Sequence, residues 1–488
     1  MAEASSRTRA RPTVQVITSD GGIEPLGRDR AAWARGLASL VDQEVLGRRR
    51  GPVHPRVRQL LARFGFEFEP ASEPGHMRFQ PSAAQMLQRV TTYAEARARA
   101  IAADLGIPFD RVEGVNVIDG SAPVLRDYLR LIHGEGDLYG AQPYFLAPPR
   151  PHLLLRQTAC LQKYSVAQGW DSAATVFPRC LYELSDSFRG EPEDDLQLSF
   201  RLRRFRVPEA HLHARSLDES VAQAERVHAL ISSDLAGHTG EVALLVTATH
   251  EFVRRHRGFL VRLTARAGAP ALLKEIPPGA LCQDGVEIDV EYKFVDATGF
   301  ARELSTFQID ELITRSVGVS RPEAPVTTIH TVPIGSAERF VFAAFDRIAR
   351  LEADGERARL PLWLSPVAVR LTWDRDQAPP PAVVDALCLA LEAHRLAVDI
   401  DDRPMPLAEK VAAADTELVP LVLLLGRAST ADLVEVRCFD NGRTSTMRLP
   451  DLLVDQGLHD ELDAGRLPPL PRRLSARPVL TGPVSSRM

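Results

Sequence analysis

The sequence predicts an α+β fold: an antiparallel-sheet core through the middle of the chain, followed by a smaller α/β domain. Three observations carry this. Between 158 and 214, and between 286 and 310, short runs alternate apolar and polar residues, as in ValGluIleAspValGluTyr at 286–292, the two-residue period of half-buried strands. From about 367 strands and helices alternate instead, the rhythm of a largely parallel sheet. The 488 residues are 45% hydrophobic and 25% charged, enough to bury a large core without staples, and at roughly 150 residues per domain they make two to four domains.

Taken in order, residues 1–54 hold one short apolar run (Val14–Ile17) and a helical stretch (Ala31–Leu46). This is too little for a domain and reads as a lead-in. Met86, Val90, Tyr93, Ala94 and Ile101 fall on one helical face, with Gly106 as its C-terminal cap. Ser216 and Glu219 form a capping box that opens a helix carrying Val221, Val227, Leu230 and Ile231. The middle shows no βαβ rhythm and no glycine-rich phosphate loop. Further on, Val367–Trp373, Ala397–Ile400, Val419–Leu425 and Leu433–Phe439 read as strands, and Ala382–Leu396 and Leu407–Ala414 as helices. The predicted divisions are 1–54, 55–366, 367–460, and a disordered Pro- and Arg-rich tail at 461–488.

Composition excludes several classes. With 59 basic and 64 acidic residues and a net charge of −5, the chain is no histone-like binder, and no DNA partner is expected. Five cysteines without a CxxC pair exclude a disulfide scaffold and fit a reducing cytoplasm. No apolar run is long enough to span a bilayer, and the first residues lack the apolar segment of a secretory signal.

Three constellations carry chemistry. SerPheArgGlyGlu at 187–191 precedes ArgLeuArgArgPhe at 201–205. Two strands joined by a loop would set Arg189, Glu191, Arg201, Arg203 and Phe205 around one pocket, with arginine forks for phosphate and an aromatic face for a purine. A salt-bridged exposed hairpin face is the plainer alternative. ProIleGlySerAlaGluArgPhe at 333–340 offers free backbone N–H groups at a helix start, with Arg339 one turn in; a plain cap does the same. Cys160, His211 and His330 are residue types that hold zinc, although spacing alone does not join them and an ordinary buried cysteine with two unrelated histidines is the simpler reading.

These segments resemble motifs 2 and 3 of class II aminoacyl-tRNA synthetases, and within that class the threonyl-tRNA synthetase family. IleHisThrValProIleGlySerAlaGluArgPhe (329–340) resembles that family's motif 3 with its preceding histidine. GluAlaHis (209–211) stands where it has Asp-Ala-His, and GluLeuSerThrPheGlnIleAsp (303–310) resembles its Gln-Leu-Ser-Thr-x-Gln-Leu-Asp. LeuProLeuTrpLeuSerPro (360–366) resembles the phrase ending its catalytic domain. Together the likeness runs from about 55 to 455. It implies a class II antiparallel catalytic core and an anticodon-binding-type domain, ATP with Mg²⁺, Zn²⁺, a homodimer and a cytoplasmic, protein-biosynthetic role. By the same resemblance, Arg189 and Arg339 are the catalytic phosphate clamps. Phe205 stacks on adenine and Glu191 meets its edge. Arg201, Ser336 and the magnesium-side Glu303 complete the ATP site. Glu209 and Gln308 take the amino acid, Cys160, His211 and His330 hold zinc, and Arg437 meets the anticodon.

The departures are as informative. The residues before 55 leave no room for the family's TGS and editing domains, so a truncated form is expected. GluGlyValAsn (113–116) replaces the end of motif 1, and Arg156, Gln157, Thr158 and Ala159 replace Lys-Pro-Met-Asn. Glu209 replaces an aspartate, and Asp284 and Glu287 replace an aromatic and a lysine. Added carboxylates favour a substrate with an extra amine, so a diamino acid stands beside threonine. The expected activity is aminoacyl-adenylate formation and transfer to tRNA. The alternatives are activation for a carrier protein or metabolite, and an idle tRNA-binding regulator.

Overall fold

The computed structural model describes residues 12–27, 33–49, 51–119, 122, 153–168, 177–280, 282, 285–317, 319, 326–438 and 442–455. Asp284 and the predicted tail at 461–488 lie outside the described residues. The described residues form two compact units, the first drawn from those within 1–53, 73–76 and 97–343, the second from those within 54–72, 77–96 and 344–455. No described helix is long and apolar enough to cross a membrane.

A ten-stranded sheet organises the first unit. Its order is Ile23–Pro25, Thr13–Ile17, Ala271–Ile276, Val242–Thr249, Ile288–Val295, Ala301–Asp310, Thr327–Val332, Arg204–Ala214, Arg179–Phe188 and Phe109–Arg111. From Val242–Thr249 to Arg179–Phe188 every neighbouring pair is antiparallel, as the alternating runs predict. One expectation is corrected: a βαβ unit is present. Val242–Thr249 and Ala271–Ile276 pair in parallel, joined by the helices His250–Arg255 and Arg257–Ala267. Both strands begin as unbroken buried apolar runs (AlaLeuLeuVal, AlaLeuLeu), and a strand covered on both faces shows no alternation to read. The lead-in also joins the sheet, since Thr13–Ile17 pairs antiparallel with Ala271–Ile276.

The helix Leu217–Thr239 buries Val221, Ala224, Val227, Ile231 and Leu235 along one face, the three-to-four residue spacing of a core-facing stripe. Ser216 Oγ accepts from Glu219 N at 3.2 Å, satisfying a donor the helix start leaves open, and the Glu219 carboxylate reaches back to accept from Arg215 N, just before the cap, at 2.6 Å.

In the second unit a five-stranded sheet runs Val398–Asp401, Val369–Trp373, Leu421–Leu425, Leu433–Cys438, Thr444–Arg448. Its first three strands are parallel and its last two antiparallel. Helices Pro381–Ala393 and Leu407–Thr416 supply the crossovers, and Leu371, Leu387, Leu391, Leu423 and Val436 form the core between the layers. Thr444–Arg448 was not among the predicted strands: it is an edge strand of mostly exposed ThrSerThrMetArg, without an apolar face to announce it.

Candidate functional site

The first site residues lie on a long hairpin. Arg179–Phe188 and Arg204–Ala214 pair so that Ser187 stands opposite Phe205. Arg189 N donates to Arg203 O at 2.9 Å, and the Arg189 guanidinium lies 5.2 Å from the centre of the Phe205 ring. Buried Glu191 accepts from Arg201 Nε at 2.7 Å, and its carbonyl accepts from Arg203 Nε at 2.8 Å. The five predicted residues therefore gather, but Arg201 is spent on Glu191, while Arg189 is held beside the aromatic face.

The second segment starts the helix Ala337–Ala353. Gly335 sits at φ +79°, and a Cβ there would lie 2.0 Å from Leu304 O, so only glycine lets the turn meet the neighbouring strand. Ser336 Oγ then accepts from Arg339 N at 3.3 Å. Arg339 donates from Nε to Phe200 O at 3.1 Å and from Nη1 to Glu303 at 3.3 Å. Burial works against ionisation of Glu303, yet Arg339, Lys293 and Arg189 outweigh it and hold the carboxyl below its ordinary value. Arg189 and Arg339, which lie on different segments, thus bear on one carboxylate. Gly335→Ala is expected to destabilise the protein by at least about 2 kcal/mol, the strain of the left-handed backbone plus the clash. An unchanged thermal midpoint would contradict this.

The third group forms where three strands lie in register, Gln308 opposite His330 and His330 opposite His211. Cys160 arrives from the start of the helix Cys160–Gln168. Cys160, Glu209, His211 and His330 each present one donor atom, and all four atoms lie within 4.8 Å of one another. Cys160 Sγ stands 3.4 Å from His330 Nδ1. Tyr164 OH donates to Asp310 at 2.9 Å and so accepts from His330 Nε2 at 2.9 Å, which turns Nδ1 toward the cluster. Burial disfavours charge on His330, but the Cys160 sulfur and Asp310 outweigh it and lift the imidazole to about 10. Donors around one tetrahedral zinc lie about 3.3–3.7 Å apart, so the set fits that ion with small adjustments. His213 stays out: it contacts Thr328 Oγ1 at 2.9 Å, and burial pushes it down to about 3.

Sequence reasoning missed Lys163. It is fully buried, and its Nζ lies 3.4 Å from Glu209 Oε1. Burial raises the Glu209 carboxyl, but Lys163, His211 and His330 more than offset this and hold it well below the carboxylate range. The lysine balances Glu209, so Glu209 adds no surplus charge to attract a substrate amine. A signal was available: Lys163 is one of four lysines and stands three residues after Cys160, on the same helical face.

The other predicted residues are placed as follows. Gln308 Nε2 donates to Asp289 at 3.1 Å, and half-buried Glu287 accepts from Thr249 Oγ1 at 3.3 Å. Gly114 N and Arg156 Nη1 both donate to buried Glu183, at 2.9 and 2.6 Å, so the altered motif 1 segment is tied to the sheet by a buried ion pair. In the second unit Arg437 forks onto Asp415 at 2.6 and 2.8 Å.

A family described as an anticodon binding domain matches residues 380–454. A threonine–tRNA ligase of Pyrobaculum calidifontis is 33% identical, with 96% of this chain and 75% of that relative covered. The chain belongs to the threonine–tRNA ligase family. A second family member, from Hyperthermus butylicus, is 31% identical over 98% of this chain and 76% of its own. Among solved structures, a fragment of a threonyl-tRNA synthetase from Cryptosporidium parvum, described as its RNA binding domain, superposes with a TM-score of 0.66 at 15% identity, covering 82% of this chain and 97% of that one. The antiparallel class II core and its smaller α/β companion are the fold of this family.

Proposed function

We propose that this chain activates threonine with ATP and transfers it to tRNA. One observation carries the reading. Cys160, His211 and His330, up to 170 residues apart in sequence, meet within 4.8 Å beside Gln308, in a chain of this family. Arg189 and Arg339 hold the phosphates of ATP, Phe205 stacks on adenine, and Glu191 meets its edge with Arg201 fixing it. Ser336 starts the helix that aims Arg339, and Glu303 takes the magnesium that ATP brings. These charges are positioned before the reaction, so the amino acid's carboxylate attacks the α-phosphorus without a protein nucleophile. Cys160, His211 and His330 hold zinc, which supplies a point of attachment for the amino and hydroxyl groups of threonine. Gln308 and Glu209 orient the bound amino acid.

In this reading residues 55–366 are catalytic, and 367–460 bind the anticodon end with Arg437 among the contacts. The chain works as a cytoplasmic homodimer. Exposed Val115 (57%) and Val117 (44%) on the motif 1 segment give that dimer an apolar edge to bury.

ATP–pyrophosphate exchange over a panel of amino acids, followed by charging of tRNA, tests the proposal. Threonine is expected to lead and valine to stay at background, because valine brings no hydroxyl. Serine, one methyl smaller, trails by only about 10–200-fold. Vigorous valine activation, or none with threonine, sinks the reading. Exchange without tRNA charging instead points to another acceptor.

A further inference from the structure

The donor set has four members, not three. A carboxylate that merely supports a metal-bound histidine contacts the nitrogen turned away from the metal. Glu209 does something else. Its Oε1 accepts from His211 Nε2 at 2.6 Å, the nitrogen turned into the cluster, and from the Cys160 sulfur itself at 3.1 Å. The far nitrogen of His211, Nδ1, is buried with no hydrogen-bond partner among the described residues. Glu209 and His211 stand two apart on the strand Arg204–Ala214, so both side chains leave the same face of the sheet.

The geometry points to Glu209 as the fourth protein ligand of the resting metal site, closing the position that a three-ligand site leaves open. The inference rests on the zinc reading above. An incoming amino acid then has to displace Glu209 rather than fill a vacancy. Lys163, already 3.4 Å from the same oxygen, is placed to receive the released carboxylate. Only a substrate offering two donor groups, an amine with a hydroxyl or a second amine, replaces the lost ligand and adds one.

Zinc content and affinity of the full-length protein, by metal analysis and chelator competition, form the first arm of the test. Wild type should hold about one zinc per chain; a wild type without zinc overturns the zinc reading and this inference together. Glu209→Ala and Glu209→Gln should each weaken zinc by at least about tenfold. Gln keeps the acceptor and the shape but is a far poorer ligand. Zinc held by Glu209→Gln as tightly as by wild type therefore overturns the inference alone, leaving the reading intact. The second arm uses wild-type protein loaded with cobalt(II), so it survives misfolding of the variants. An open position holds water that ionises near pH 7, and the visible spectrum would shift with it. With Glu209 in place, the spectrum should stay constant across about pH 6–9 and change on adding threonine. A pH-dependent spectrum in the absence of amino acid rules Glu209 out as a ligand.

Discussion

Arg189→Ala and Arg339→Ala should each lower ATP–pyrophosphate exchange by about a hundredfold to a thousandfold, the scale for removing one preorganised donor from developing charge. Both side chains are only partly buried, and Arg339 is tied to the rest of the unit by Glu303 and the Phe200 carbonyl. Removing it leaves Arg189 and Lys293 still acting on Glu303, so the fold should survive while the clamp is lost. Arg201→Ala is the useful contrast. Its fork is engaged by Glu191, so its loss acts through the position of Glu191 and should cost less than either clamp. Exchange near the wild-type rate in Arg189→Ala or Arg339→Ala, with melting unchanged, would show that the arginines do not hold phosphate.

Cys160→Ser should strip the protein of metal. A thiolate is the softest donor in the set, and zinc held by two imidazoles and a carboxylate alone is bound more weakly by at least about a hundredfold. Metal analysis after dialysis should find about one zinc in wild type and near none in the variant. Threonine activation should fall with it, while the phosphate clamps stay intact. The serine hydroxyl occupies nearly the same volume, so packing around Tyr164 and Ala167 should hold. Equal zinc in the two proteins would remove Cys160 from the site.

Much of this was legible in the sequence, for reasons that can be named. Strands with one covered face declared themselves by alternation, as at 286–292, and the capping box at Ser216 and Glu219 marked a helix start that the hydrogen bonds bear out. Gly335 and Arg339 were found because a turn, a cap and a charge follow one another locally. Two kinds of feature were hidden. Strands with unusual cover, such as doubly buried Val242–Thr249 and exposed Thr444–Arg448, lack the period that reveals a strand. Relations across the sheet are the other kind. The register that sets His211 against His330, and the pairing of Lys163 with Glu209, depend on how distant segments come together, which no local pattern encodes. Glu209 was identified by position, and its approach to the sulfur and imidazole emerges only with the strands in place.

The edge of the large sheet has a consequence for how the chain is made. Thr13–Ile17 is translated early, yet its partner Ala271–Ile276 leaves the ribosome only after some two hundred and fifty further residues. At about 5–20 residues per second that is a wait on the order of ten seconds or more. Throughout it Thr13–Ile17 has only the short strand Ile23–Pro25 beside it, and its other edge is an open template for the wrong neighbour. The interval is long enough for a nascent-chain chaperone to bind and release many times. The large sheet can be completed only once its first strand meets one made some two hundred and fifty residues later.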